Sequence, residues 1–146
     1  MSDPTLVVAL DTNVLISALL GLGRPTSSPR TILEAFRDAV FTLAMSPVLL
    51  GEFTDVVTRP EFRLLIPREE IDTLLEDIHR HARIVHPTET LRLVLDDPSD
   101  DRLFACALAA DAAYLVSGDK AVLGVKRVGR LRVIAPAAFV AILSHQ

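Results

Sequence analysis

Five apolar residues, Leu6, Val7, Val8, Ala9 and Leu10, run without a polar break into the triplet Asp11-Thr12-Asn13, and a second apolar stretch follows from Val14 to Leu20. An apolar run that does not alternate fits a strand covered on both faces. With no Gly or Pro between the two stretches, the segment reads as strand, turn, helix. Strands buried on both faces belong to parallel sheets with helices packed on each side, so this one feature narrows the fold to the α/β class. In open sheets of that class ligands bind beyond the carboxyl ends of the strands, which is where Asp11 would stand. Aspartate is also a strong helix N-cap, so the position has a structural reading of equal standing.

The rest of the chain repeats the alternation. Residues 21–29, rich in Gly, Pro and Ser, read as a loop, residues 30–39 as a helix and residues 41–45 as a strand. Ser46-Pro47 opens a helix over residues 48–58, with serine capping and proline at the first helical position. A short helical piece at 61–65, a helix at 68–82 and a weak strand at 84–86 come next. Asp97-Pro98 opens a further helix that reaches residue 113, followed by strands at 114–117 and 131–134 and a closing helix at 136–143.

The chain has 146 residues and suits one domain over residues 1–146. Half of the residues are hydrophobic but only 5% are aromatic, so the core must be aliphatic. The net charge of −4 argues against holding nucleic acid by bulk charge, although Lys120, Lys126, Arg127, Arg130 and Arg132 form a basic cluster. That cluster reads as a phosphate-backbone contact or as a solvated face. The one cysteine, Cys106, excludes an internal disulfide and reads as a buried thiol. No apolar run approaches the roughly 20 residues that span a bilayer, and no cleavable leader is seen, so a cytoplasmic protein without membrane attachment is expected.

Several acids stand where apolar residues would be expected. On a wheel of 100° per residue, Glu52 falls between Val48, Leu49 and Val56, while Asp55 lies at the edge of that stripe and reads as surface. Burying an unpaired carboxylate costs several kcal/mol, so Glu52 is neutral, paired with a cation, or a metal ligand. Asp101 lies on the side of Phe104, Ala105 and Leu108 and is placed at the site. Asp97 and Asp100 fit better as acids favoured by a helix N-terminus, with Asp100 the nearest competitor. Asp119, just past a strand end, is a fourth acid or an ordinary turn residue. Four carboxylates brought together with no basic partner cannot all stay ionised, and a divalent cation resolves the conflict. Oxygen-only ligands select Mg²⁺ or Mn²⁺, and such a site suits phosphoryl chemistry. Asn13 and Ser117 fit supporting polar roles, or turns.

Other chemistries have weaker signals. His79 and His81 are two apart on a helix and face different ways, no zinc-ligand spacing occurs, and there is no Gly-rich phosphate loop. A phosphatase using Asp11 as phosphoryl acceptor would want an acid where Asn13 stands.

Taken in order, residues 8–15 (Val-Ala-Leu-Asp-Thr-Asn-Val-Leu), 46–52 (Ser-Pro-Val-Leu-Leu-Gly-Glu), 97–105 (Asp-Pro-Ser-Asp-Asp-Arg-Leu-Phe-Ala) and 115–119 (Leu-Val-Ser-Gly-Asp) resemble the motifs of PIN-domain nucleases, in particular the bacterial toxin branch related to VapC ribonucleases. The resemblance covers nearly the whole chain. It implies a three-layer α/β/α sandwich with a central, mostly parallel sheet. It further implies a Mg²⁺- or Mn²⁺-dependent endoribonuclease, homodimers and often a cognate antitoxin. The family's catalytic and metal-binding acids carry over to Asp11, Glu52, Asp101 and Asp119, with Asn13 and Ser117 supporting and Asp100 as a possible additional acid. One departure is Gly51, where relatives often carry a larger residue. The alternative within the same fold is an inactive or weakly active module that binds RNA or a protein.

Overall fold

A computed structural model describes residues 6–21, 26–88 and 98–145. The elements are β1 (Val7–Leu10), α1 (Thr12–Leu20), α2 (Ser28–Arg37), β2 (Thr42–Met45), α3 (Pro47–Val57), α4 (Pro60–Arg63), α5 (Arg68–His81), β3 (Arg83–Ile84), α6 (Pro98–Ala109), β4 (Tyr114–Val116), α7 (Lys120–Leu123), β5 (Arg127–Val128), β6 (Leu131–Ile134) and α8 (Pro136–Ser144). The strands form one sheet in the order β3-β2-β1-β4-β6-β5, parallel throughout except for the β5–β6 pair. Helices flank this sheet, giving the expected α/β layering. Helix α1 packs on α2 and α2 on α8, while α6 lies against β1, β2, β4 and α3.

The central position of β1 explains its composition. All four of its residues are buried, because neighbours pair on both edges and helices cover the faces. Three of the aromatic rings cluster: Phe41 meets Phe139 edge-on at 5.3 Å and Phe36 at 6.2 Å, which ties α2 and α8 to the start of β2. No helix among the described residues is long and apolar enough to cross a membrane.

Two elements were not visible in the sequence, α7 and β5. The latter pairs with β6 through a two-residue turn, Gly129-Arg130, with Gly129 at φ +60°. Glycine at the first position of such a loop is the usual hairpin signal, but a two-residue strand has no periodicity to read. Helix α6 stops at Ala109, four residues short of the expected end. Asp111 takes a positive φ of 52°, and the Ala112 N–H returns to the Ala107 carbonyl at 2.9 Å. Strand β3 is shorter than expected and exposed at the sheet edge. The proposed cap Asp97 and part of the loop at residues 21–29 lie outside the described residues. Within that loop Ser27 caps α2, accepting the Arg30 N–H at 3.3 Å.

Helix α3 runs unbroken through Gly51, whose position is exposed and would leave an added Cβ with nothing within 4 Å. Alanine there removes backbone freedom from the unfolded chain without a clash. Gly51→Ala is therefore expected to stabilise the protein by about 0.5–1 kcal/mol, read as a higher denaturant midpoint at unchanged slope.

Cys106 is fully buried on α6, and burial pushes its thiol up to about 11, against a smaller downward pull from a hydrogen bond with the Ser46 side chain. It is a packing residue, as its surroundings in the sequence suggest.

Candidate active site

The connections place the site. From β1 the chain moves to β2 and then β3 on one side, and returns with β4 on the other side of β1. The order therefore reverses between β1 and β4, and beyond their carboxyl ends lies the crevice that open α/β sheets use for ligands. Asp11 follows β1 directly and Ser117 follows β4, and the Asp11 N–H donates to the Val116 carbonyl at 2.9 Å, continuing the ladder to the edge of the crevice.

A hydrogen-bond chain fixes this edge. Asp11 caps α1: its Oδ1 accepts the Asn13 N–H at 3.3 Å, and its Oδ2 accepts the Ser117 hydroxyl at 2.7 Å. The Ser117 Oγ in turn accepts the Asp119 N–H at 3.0 Å, and Asp119 Oδ1 accepts the Ala121 N–H at 2.8 Å. Ser117 is completely buried, so its hydroxyl, donating to one acid and accepting from the backbone of the other, sets the spacing of the two turns. The supporting and turn readings of Ser117 are thus the same interaction. Capping and site readings of Asp11 are compatible for a similar reason, since each of its oxygens uses one lone pair on the protein and retains another.

Beyond Met45, Ser46 caps α3 through the Leu49 N–H at 3.3 Å and sends that helix along the crevice. The buried stripe of α3 is Leu49, Phe53 and Val57, while Val48 is half exposed. The apolar stripe read from the sequence was rotated, and Glu52 sits at its margin rather than inside it. Its side chain is 27% exposed, and its Oε2 accepts from both Nε and Nη2 of Arg102, at 3.1 and 3.0 Å. The expectation that the acids have no basic partner is therefore corrected: Arg102 of α6 holds Glu52.

Helix α6 brings a second change. Asp100, Leu103, Phe104 and Ala107 are buried, an i, i+3, i+4, i+7 series, whereas Leu108 is at the exposed limit and Asp101 and Ala105 are partly exposed. Asp100 continues the buried stripe, and Asp101 lies beside it.

These elements enclose a cleft of about 300 Å³ lined by Asp11, Thr12, Asn13, Leu49, Glu52, Asp55, Val56, Arg59, Asp100, Leu103 and Asp119. It thus gathers Asp11, Asn13, Glu52 and Asp119 with Asp100, while Asp101 and Ser117 are not among its lining residues. Asp55, expected at the surface, is exposed and also reaches the rim, one turn beyond Glu52 on α3. Arg59 was missed by the sequence reading, because it follows α3 and nothing in its local pattern marks it. Among the described residues no three acidic, histidine or cysteine side chains stand close enough to enclose an ion.

The model of the PIN domain family matches residues 7–121, which includes every acid of the cleft. The chain belongs to the PIN-domain family. PIN domains are generally nucleases, so a nucleic acid is the implied substrate. The PIN fold is also seen in the crystal structure of PAE2754 from Pyrobaculum aerophilum, with a TM-score of 0.64 and 14% identity over 97% of this chain and 91% of that one. No curated protein matches the chain.

Proposed function

We propose that this PIN domain is a divalent-metal-dependent endoribonuclease and serves as the toxin of a cytoplasmic toxin–antitoxin pair. What supports the reading is the set Asp11, Glu52, Asp100 and Asp119 around one cleft at the point where the strand order reverses. The donors are all carboxylate oxygens, which suit hard ions such as Mg²⁺ or Mn²⁺. Closing the set around an ion takes side-chain rotation, chiefly at Glu52, which has one oxygen engaged by Arg102. A bound ion of this type supplies Lewis acidity that withdraws charge from a phosphodiester and makes water a better nucleophile.

The chain's own residues prepare that chemistry. Asp11 is held in one rotamer by the Asn13 N–H and the Ser117 hydroxyl, so its remaining lone pairs face the cleft without further ordering. Asp119 is held likewise by the Ala121 N–H. Arg59, at the rim, offers a cation to the phosphate that the acids would repel. Cleavage by water needs no attack by the ribose. RNA incubated with Mn²⁺ should therefore yield 5′-phosphate and 3′-hydroxyl ends, and EDTA should abolish the reaction. Products ending in 2′,3′-cyclic phosphate, or cleavage in EDTA, would contradict the proposal.

One observation favours the second reading, a weak or inactive binding module: the Arg102–Glu52 pair satisfies a would-be ligand. RNA that binds and is not cut in saturating Mn²⁺ would select it.

We further propose a homodimer, with an antitoxin as the alternative partner. Leu64 is 96% exposed and Leu65 62%, next to the buried Ile66 and Leu74, so the segment after α4 presents apolar surface that an isolated chain leaves in water. Leu64→Asp should shift the mass in solution from dimer to monomer. A wild-type protein that is strictly monomeric and purifies without a partner would count against the proposal.

A further inference from the structure

A second pocket, of about 340 Å³, opens on the other side of Asp119 and shares Asn13 and Asp119 with the acidic cleft. Its walls come from α1 (Val14 and Ser17), from Pro29 at the start of α2 and from Pro136 at the start of α8. We infer that this pocket is a nucleoside subsite, which receives the base and ribose next to the phosphate held in the acidic cleft. The inference rests on the nuclease reading of that cleft.

Three properties of the pocket select the uncharged part of a nucleotide over a phosphate. It has no Lys or Arg in its lining and has the Asp119 carboxylate at its edge. Two of the helices that begin beside it, α2 and α8, carry proline in the first turn, at the position where a backbone N–H would otherwise help to capture an anion. The two prolines, both partly exposed, are also stiff apolar surfaces against which a base can lie with little loss of side-chain freedom. The polar groups have the right character: Asn13 and Ser17 are exposed, and together their amide and hydroxyl offer both donors and acceptors to a base edge or a 2′-hydroxyl. The volume is at the lower end of small-ligand sites, as suits one nucleoside rather than a folded RNA element. Because the two hollows meet at Asn13 and Asp119, a strand that crosses Asp119 occupies both.

The test separates the subsite from the nuclease reading by using binding without metal. Dinucleoside monophosphates (ApA, GpG, CpC and UpU) are titrated into the protein in EDTA, and backbone amide shifts are followed. At least one should perturb Val14, Ser17 and Gly118 at saturable concentrations. Ser17→Ala should weaken it about fivefold through the lost hydroxyl, and Ser17→Phe, which fills the pocket, should weaken it tenfold or more. In parallel, Mn²⁺-dependent cleavage by Ser17→Phe should show a raised KM and a flattened base preference beside the cut, with the same chemical ends. Absence of shifts at these amides with all four probes, or equal affinity in Ser17→Phe, overturns the subsite. Wild-type protein that binds the probes but cuts no RNA in Mn²⁺ overturns the nuclease reading and leaves the pocket assigned.

Discussion

Asp11→Asn is expected to lower the Mn²⁺-dependent cleavage rate about a thousandfold while leaving the fold intact. The loss follows from removing one negative ligand whose share of transition-state charge stabilisation is about 4 kcal/mol, at 1.36 kcal/mol for each factor of ten. The fold should survive because asparagine caps helices as well as aspartate does, and its amide oxygen can still take the Asn13 N–H or the Ser117 hydroxyl. Asp11→Ala should lose activity to the same extent and in addition about 1–2 kcal/mol of stability, because it removes the cap and leaves the buried Ser117 hydroxyl without its acceptor. Comparing the two variants by single-turnover cleavage and by denaturant melting separates the chemical role of the carboxylate from its structural one. Activity of Asp11→Asn within tenfold of wild type would contradict the account.

The second large effect distinguishes adjacent acids on α6. Asp100→Asn is expected to lose about a thousandfold in cleavage, like Asp11→Asn, whereas Asp101→Asn should stay within about tenfold. The reason is geometric: Asp100 is 8% exposed and lines the cleft, and Asp101 does not. The measurement is kcat/KM on one RNA under identical Mn²⁺. If Asp101→Asn is the inactive variant, α6 must rotate in the working enzyme, and the assignment made from the cleft is wrong.

These two acids also show where the sequence is readable and where it is not. From Leu103 to Ala109 every residue of α6 is apolar, so the stripe of 101, 104, 105 and 108 and the stripe of 100, 103, 104 and 107 match the helical period equally well. Only contact with β1, β2 and α3 decides between them. The same limit explains Val48, whose apolar neighbours give α3 a wider hydrophobic face than it buries. The Glu52–Arg102 pair joins residues 50 apart on two helices, and no local pattern encodes it. By contrast, β1 and its terminal Asp11 were legible because both constraints are local: a strand covered on both faces needs an unbroken apolar run, and the turn after it needs a cap. Ser117 and Asp119 were legible in kind, as polar residues at a strand end, but the bracket Ser117 makes to Asp11 across 106 residues exists only once β1 and β4 pair.

The central claim, that the acids at this crevice bind a divalent cation, is tested most directly by melting curves with and without Mn²⁺, a measurement independent of any substrate. An ion that binds the folded site and hardly the unfolded chain should stabilise wild type by roughly 2.7 kcal/mol at about 100 times its dissociation constant. Asp111→Asn is the control. It removes the same charge at a turn preceding β4, at the opposite end of the sheet, and asparagine tolerates the positive φ of that position. The account predicts that Asp111→Asn keeps the full Mn²⁺ response while Asp11→Asn and Asp100→Asn lose most of it. An Asp11→Asn response equal to that of wild type would contradict it.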